Sequence, residues 1–247
     1  KIYKIISKLF SFVLPFVDRM SYLNYYNQPF TDSPKSNKEN YYSLAKKAEA
    51  NTYSVKDVDL LEEECGYSIN RHWLNSLALQ TQIVVKKSEL NYAHGRVLYT
   101  VLKNYLSTLK QDVKTVNIIE TGTARGFSAL CMAKALSDSE IEGSICTIDT
   151  LPHFTKMFWN CIGDHNKGSQ TRNNLLNEWS DLVERYIFFV QGYTKHLLPK
   201  IAFTRINFAF LDGSHTYKDV MLEFNQISKL QREGDIVVFD DYNEKSF

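Results

Sequence analysis

After Gln111 the sequence alternates short apolar runs with helical segments, and this alternation limits the fold more than any other feature. It is typical of βαβ units, in which helices join parallel strands and cover the sheet. The predicted strands span residues 116–120, 144–149, 187–191, 207–211 and 235–239. The sequence therefore predicts an α/β fold with a parallel sheet flanked by helices.

The spacing of apolar residues divides the chain into two parts. Residues 1–110 show helical spacing, which is clearest over residues 89–106, where apolar side chains recur every three to four positions. Residues 111–247 carry the strand pattern. We therefore expect an N-terminal helical extension or cap, followed by a sheet domain.

Short-range signals mark the ends of some helices in the extension. Ser54 followed by Asp57 has the spacing of a capping box, and Gly66 supplies a stop for that helix. A further helix is expected to hold Trp73 and its apolar neighbours. The composition of residues 27–40, with Pro, Ser and Asn, predicts a loop.

Charge and cysteine usage exclude some classes of function. The chain has 29 Lys and Arg against 28 Asp and Glu, a net charge of +1, which gives no reason to expect a nucleic-acid partner. Its four cysteines are far apart and form no CxxC pair, which argues against a disulfide framework and a zinc site. We expect a reducing, cytoplasmic setting.

The first segment, residues 2–17, is apolar but is interrupted by Lys4, Lys8 and Pro15. It is too short to span a bilayer. Its helical spacing leaves two interpretations: packing against the body of the protein, which we favour, or weak contact with a membrane surface.

Residues 117–130, NIIETGTARGFSAL, run from a predicted strand through a glycine turn into a helix. Gly122 and Gly126 allow a tight turn and close approach of a ligand, and a helix starting at about Phe127 presents free amides to an anion. Ala124 stands where a GxGxxG fingerprint has its second glycine, which weakens a pyrophosphate interpretation. A plain strand-to-helix turn is the alternative.

Two later strand ends extend this candidate ligand site. Asp149 ends the second strand, where a carboxylate commonly accepts both hydroxyls of a ribose, although it could instead cap a helix. Gly192 and Thr194 follow the third strand and are predicted to line an adenine. These features indicate an adenosine-containing ligand without choosing between dehydrogenases and methyltransferases.

Acidic residues follow the fourth and fifth strands, in LDGSHTY and FDDY. Asp212, Asp240 and Asp241 should meet at one edge of the sheet and repel one another unless a cation neutralises them. Oxygen ligands favour Mg²⁺, with Mn²⁺ or Ca²⁺ as alternatives, while helix capping is the blander interpretation. His215 is suited to act as a general base that removes a proton near neutral pH. The alternative is that it only caps a helix or packs against neighbouring side chains.

The segments ETGTARGFSAL, LDGSHTY and VFDDY, in this order, resemble the metal-dependent branch of class I S-adenosylmethionine methyltransferases. That branch includes catechol O-methyltransferase and the O-methyltransferases of macrolide sugars. The resemblance covers residues from about 90 to the last residue and implies a Rossmann-like sheet with S-adenosylmethionine as methyl donor. The predicted donor-binding residues are Glu120, Gly122, Thr123, Gly126, Ser128, Asp149, Gly192, Thr194 and Asp212.

The same resemblance implies roles for the acidic residues and the histidine. Asp212, Asp240 and Asp241 would hold the metal, and His215 would be the general base, at a position where the catechol enzymes carry a lysine and the sugar enzymes a histidine. The expected acceptor is a hydroxyl of a sugar, glycan precursor or other small molecule, with a catechol-like phenol as second choice.

A long insertion, residues 151–186, separates the second and third strands. Connections of this length often act as lids, so Trp159 and Arg172 are predicted to shape the acceptor pocket. Ordinary packing of an inserted helix is an equal alternative.

The sequence departs from the family pattern at its C-terminal end. The family fold continues beyond the fifth strand through a helix and an antiparallel pair, so we expect a C-terminally incomplete domain with an exposed sheet edge. Either the sequence is a fragment, or the N-terminal helices or a second copy in a homo-oligomer cover that edge. Two other functions are alternatives to a methyltransferase. One is a non-catalytic module that binds a nucleoside cofactor, and the other is a nucleotide-dependent oxidoreductase. The missing GxGxxG counts against the oxidoreductase.

Overall fold

The structure is a computed structural model and describes residues 33–109, 115–214 and 216–240. The strands are β1 (Thr115–Thr121), β2 (Glu142–Asp149), β3 (Ile187–Gln191), β4 (Phe208–Leu211) and β5 (Ile236–Phe239). They form one sheet in the order β3-β2-β1-β4-β5, and every neighbouring pair is parallel. The predicted α/β fold with a Rossmann-like parallel sheet is confirmed, and each strand begins and ends within two residues of its predicted bounds.

Helices precede the sheet and connect its strands. They are α1 (Lys38–Thr52), α2 (Lys56–Cys65), α3 (Arg71–Thr81), α4 (Ala93–Thr108), α5 (Phe127–Asp138), α6 (Ile162–Lys167), α7 (Arg172–Leu175), α8 (Ser180–Tyr186), α9 (Thr194–Leu197) and α10 (Tyr217–Ile227). Helix α5 joins β1 to β2 and packs against α4, which in turn packs against α2.

Both faces of the sheet are buried, which explains why the strands read as continuous apolar runs. In β4, Phe208 and Phe210 face the larger core, while Ala209 and Leu211 face a smaller core on the opposite side. The larger core also contains buried side chains of α1, α3, α4 and α5. The helices that precede the sheet therefore share its core.

Two helix starts differ from the sequence prediction. Ser54 does not cap α2, because the helix begins at Lys56 after Val55 and no side chain caps it, while the Ser54 hydroxyl donates to the Asn51 carbonyl at 2.9 Å. Helix α4 begins at Ala93 rather than near residue 89, because the Asn91 side chain accepts a hydrogen bond from the Ala93 amide at 2.6 Å.

Other expectations for this part of the chain have mixed outcomes. Gly66 ends α2 in the left-handed conformation, as predicted. The predicted loop over residues 27–40 is wrong at its end, because α1 begins at Lys38 with the Asn37 side chain as its cap. The apolar segment at residues 2–17 lies outside the described residues. In the part of the chain that is described, no helix has both the length and the apolar character needed to cross a membrane.

Arg96 of α4 joins three helices of the N-terminal extension. Its guanidinium is buried and contacts Glu62 and Asp59 of α2, both at 2.6 Å from Nη2. Its Nη1 donates to the Thr52 carbonyl at the end of α1 at 3.0 Å. These contacts give Arg96 a structural role within the extension.

We predict that Arg96→Gln lowers the free energy of unfolding by about 3 kcal/mol, because it removes a buried guanidinium with charged hydrogen bonds to Glu62 and Asp59 and a further bond to the Thr52 carbonyl. The control is Arg71→Gln, which removes an ion pair with Glu49 from a side chain that is 61% exposed and should cost at most about 1 kcal/mol. Urea unfolding of both variants measures the difference. Equal losses would contradict an anchoring role for Arg96.

Candidate functional site

A pocket of about 540 Å³ opens at the carboxyl ends of the central strands. Small-molecule sites usually lie between about 300 and 1,000 Å³, so the pocket suits a ligand of nucleoside size. The wall consists of Gly122 and Ala124 after β1, Ile148 to Leu151 at the end of β2, Gly192 to Lys195 after β3, Asp212 to Ser214 after β4, and Asp219 and Leu222 of α10. It lies where parallel sheets commonly bind ligands.

The turn after β1 depends on two glycines with positive φ. Gly122 has a φ of 89°, and a Cβ there would lie 2.0 Å from the Asp212 carbonyl oxygen. Gly126 has a φ of 90° and directly precedes α5, whose first residue is Phe127 as predicted. The backbone at Gly122 therefore approaches the loop after β4 too closely for any side chain.

Asp149 connects the turn after β1 to the loop after β2. One carboxylate oxygen accepts a hydrogen bond from the Ala124 amide at 2.5 Å, and the other accepts one from the Leu151 amide at 2.7 Å. Asp149 does not cap a helix, since the next helix begins at Ile162. Its oriented carboxylate lines the pocket, as a ribose-binding residue would.

Glu120 lies below the pocket rather than in its wall. It is fully buried, and its carboxylate accepts hydrogen bonds from the hydroxyls of Ser128 and Thr147. Thr147 also shares a hydrogen bond with Thr123. Burial raises the pKa of Glu120 to about 7, against which these two hydrogen bonds act. Glu120 and its hydroxyl partners thus support the turn from beneath.

The predicted donor-binding residues therefore fall into two groups. Those in the wall of the pocket are Gly122, Asp149, Gly192, Thr194 and Asp212. Those behind the wall are Glu120, Thr123, Gly126 and Ser128. Their roles in donor binding stay predictions.

Glu223 is a buried carboxylate that sequence reasoning missed. It accepts hydrogen bonds from the hydroxyls of Thr194, at 2.5 Å, and Thr121, at 2.8 Å, and burial raises its pKa. It thereby holds the start of α9 against the end of β1. The available signal was a charged residue within the apolar face that Val220, Phe224 and Ile227 define on α10.

Lys195 and Asp219 also line the pocket and were not predicted. The Asp219 carboxylate accepts hydrogen bonds from the hydroxyls of Thr216, at 2.7 Å, and Ser214, at 2.9 Å, and these bonds lower its pKa. Thr216 caps α10, so the Thr-x-x-Asp spacing could have indicated this arrangement.

Two of the predicted metal ligands occupy neighbouring strand ends. Leu211 of β4 pairs with Phe239 of β5, so Asp212 and Asp240 follow at adjacent positions, and the Asp240 amide donates to the Leu211 carbonyl at 3.1 Å. Asp241 and His215 lie outside the described residues. Within the described ranges, no group of three His, Cys, Asp or Glu side chains could hold a metal. The metal site stays a prediction.

Trp159 and Arg172, which were predicted to shape the acceptor pocket, do not line the pocket at the carboxyl ends of the strands. Trp159 is fully buried, and its indole donates to the Gln170 carbonyl at 2.7 Å. Arg172 is buried and donates to the Ala124 carbonyl at 3.0 Å. Both pack behind the turn after β1, and their role toward an acceptor stays untested.

A sequence model of the methyltransferase domain family matches residues 119–242, about half of the chain. The chain belongs to this family. The match includes the glycine turn, Asp149, Asp212 and the acidic residues after β5. It confirms that the predicted methyltransferase family is correct.

Several solved structures are similar to this methyltransferase. The O-methyltransferase NovP is 14% identical with a TM-score of 0.49, over 69% of this chain and 84% of that chain. A putative caffeoyl-CoA O-methyltransferase from Staphylococcus aureus is 16% identical with a TM-score of 0.44, over 77% and 73%. Cofactor-bound Rv0187 from MTB is 17% identical with a TM-score of 0.42, over 67% of this chain.

This chain spans 60% of the length of Rv0187. At these identities the likeness concerns the fold and carries nothing about the reaction. A comparison with curated proteins found no match.

We predict that Glu120 makes the stability of the methyltransferase depend on pH. Its pKa rises from 4.5 to about 7 on folding, so the folded state holds the proton more tightly and loses stability as pH rises through this interval. The loss amounts to about 3 kcal/mol. In urea unfolding from pH 4 to 8, Glu120→Gln should therefore lose less stability than wild type.

The control is Glu178→Gln, because Glu178 is exposed. Its stability curve should run parallel to that of wild type. A Glu120→Gln curve that also ran parallel to wild type would contradict the prediction.

Proposed function

We propose that the protein transfers the methyl group of S-adenosylmethionine to a hydroxyl oxygen of a sugar, glycan precursor or other small molecule, assisted by a divalent metal. One observation carries this proposal: Asp149, the candidate ribose ligand, and Asp212, the candidate metal ligand, line the same pocket. A donor that spans the pocket would bring its methyl group toward the ends of β4 and β5.

The nucleoside end of the donor would lie between Asp149 and the residues that follow β3. The Ala124 and Leu151 amides orient the Asp149 carboxylate, and a carboxylate has about four acceptor sites, so capacity remains for ribose hydroxyls. Thr194, held by Glu223, supports the opposite wall. The geometry thus favours binding of adenosine at this end of the pocket.

The acidic residues fit a hard divalent cation. Asp212 and Asp240 follow paired strands, and their like charges would repel without neutralisation. We propose that they hold the metal together with Asp241, and that Mg²⁺, Mn²⁺ or Ca²⁺ suits this all-oxygen set. Such an ion, when bound, stabilises negative charge on a neighbouring oxygen.

We propose that His215 removes the proton of the accepting hydroxyl. It lies three residues after Asp212 in the sequence, and histidine is suited to general base catalysis near neutral pH. The acceptor oxygen would then bond to the methyl carbon as the bond from sulfur to that carbon breaks, which releases S-adenosylhomocysteine. The pocket walls contribute by holding the two substrates in line.

The choice of acceptor rests on the sequence resemblance. A histidine at the base position matches the sugar O-methyltransferases, whereas catechol enzymes carry a lysine there. A sugar hydroxyl is therefore the first candidate and a catechol-like phenol the second. A cytoplasmic setting belongs to the same proposal, because the four widely spaced cysteines do not indicate a secreted disulfide framework.

We predict that Asp240→Ala abolishes metal-dependent methyl transfer while S-adenosylhomocysteine still binds, because Asp240 is absent from the pocket wall that would hold the donor. Calorimetry measures binding, and a labelled-methyl assay with sugars and catechols, with and without Mg²⁺, measures transfer. The control is Asp181→Ala on the exposed surface of α8. Full activity in a chelator would refute the metal role, and binding of NAD but not of S-adenosylhomocysteine would refute the donor.

We predict that His215→Ala lowers kcat by about 10²-fold or more, the usual effect of losing a general base, with donor affinity retained. Because a general base is needed less as hydroxide becomes available, activity of the variant should rise with pH beyond the wild-type plateau. Steady-state kinetics from pH 6 to 10 measure both effects. An unchanged kcat would remove His215 from the reaction.

A further inference from the structure

Arg172 is a buried cation in the insertion between β2 and β3. It is 1% exposed, and its guanidinium carbon lies 5.5 Å from the ring centre of Trp159 and 5.4 Å from that of Phe189. Burial lowers its pKa to about 10, so the side chain is still charged at neutral pH. No carboxylate of the described residues forms a salt bridge with it.

The directed contact of Arg172 is with the turn after β1. Its Nε donates to the Ala124 carbonyl at 3.0 Å, while the Ala124 amide donates to Asp149 at 2.5 Å. Ala124 has a φ of 44°, a left-handed conformation that costs an alanine free energy. Arg172 therefore holds the backbone carbonyl of Ala124, and Asp149 holds its backbone amide.

The insertion itself is fixed at this point. The Arg172 amide donates to the His153 carbonyl at 3.1 Å, and Met157 pairs with Gln170 in an antiparallel bridge. The guanidinium thus extends from a braced segment to the pocket wall, in which Ala124 and Asp149 both lie.

We propose that Arg172 is a positioning residue for the methyl donor: it fixes the Ala124 peptide and, through it, orients Asp149 for the nucleoside. The proposal rests on the function proposed above, since it takes the donor to be S-adenosylmethionine. It assigns the insertion to the donor side of the pocket, whereas the sequence suggested the acceptor side.

Stability alone gives little reason for an arginine here. A buried charge without a salt bridge is costly, and an apolar side chain of similar volume often stabilises such a site. Moreover, Nη2 of Arg172 is buried with no hydrogen-bond partner among the described residues. Replacement by methionine should therefore spare the fold and release Ala124, which separates a positioning role from a structural one.

The test compares Arg172→Met and Arg172→Lys with wild type in the full chain, with Arg185→Met as control. Arg185 is an arginine on α8 whose ion pair with Glu142 lies at the exposed surface. Urea unfolding measures stability, calorimetry with S-adenosylhomocysteine measures donor affinity, and the methyl-transfer assay gives KM for donor and acceptor separately.

For Arg172→Met we expect stability equal to or above wild type, with Kd and donor KM raised about tenfold or more because the ribose ligand is misplaced. The kcat at saturating donor should change less than the donor KM does. Arg172→Lys keeps the charge but lacks the planar guanidinium, so its affinity for S-adenosylhomocysteine should fall between those of wild type and Arg172→Met. Arg185→Met should bind the donor as wild type does.

Three results would overturn the proposal: lower stability with unchanged donor affinity, a raised KM for the acceptor alone, or wild-type affinity in Arg172→Lys. If Arg172→Met does not fold, Arg172→Lys decides the question. Failure of wild type to bind S-adenosylhomocysteine would instead overturn the proposed function, and this inference with it. The two failures are therefore distinguishable.

Discussion

The close approach of Gly122 to the Asp212 carbonyl is the contact on which the pocket depends. Because a Cβ at Gly122 would lie 2.0 Å from that oxygen, the ends of β1 and β4 can converge only with a glycine there. Their convergence brings the turn that carries Ala124 and the loop that carries Asp212 to one cavity. A single backbone requirement thus joins the candidate donor site to the candidate reaction site.

Two buried carboxylates hold this junction from opposite faces of the sheet. Successive residues of a strand face opposite sides, so Glu120 accepts from Ser128 below the turn while Thr121 donates to Glu223 on the other face. Burial raises the pKa of both carboxylates. Burial of these two carboxylates costs stability on both sides of β1, while their hydrogen bonds fix the segments around the pocket. Such costly buried charges are typical of functional sites.

The fold was predictable because its information is local. Strands buried on both faces read as continuous apolar runs, and the glycine turn predicted the start of α5 at Phe127. The adjacency of Asp212 and Asp240 followed from parallel strands alone. The predicted cap at Ser54 failed because its hydroxyl donates to the Asn51 carbonyl instead, a competition that spacing does not reveal.

The contacts that define the site's interior were not predictable, because they join distant segments. Arg172 meets Ala124 across 48 positions, and Glu223 meets Thr194 across 29. Length alone indicated a lid for the insertion, yet Trp159, which was predicted to face an acceptor, is fully buried. Trp159 and Arg172 are both buried behind the pocket wall, and Arg172 contacts the turn that carries the candidate donor site.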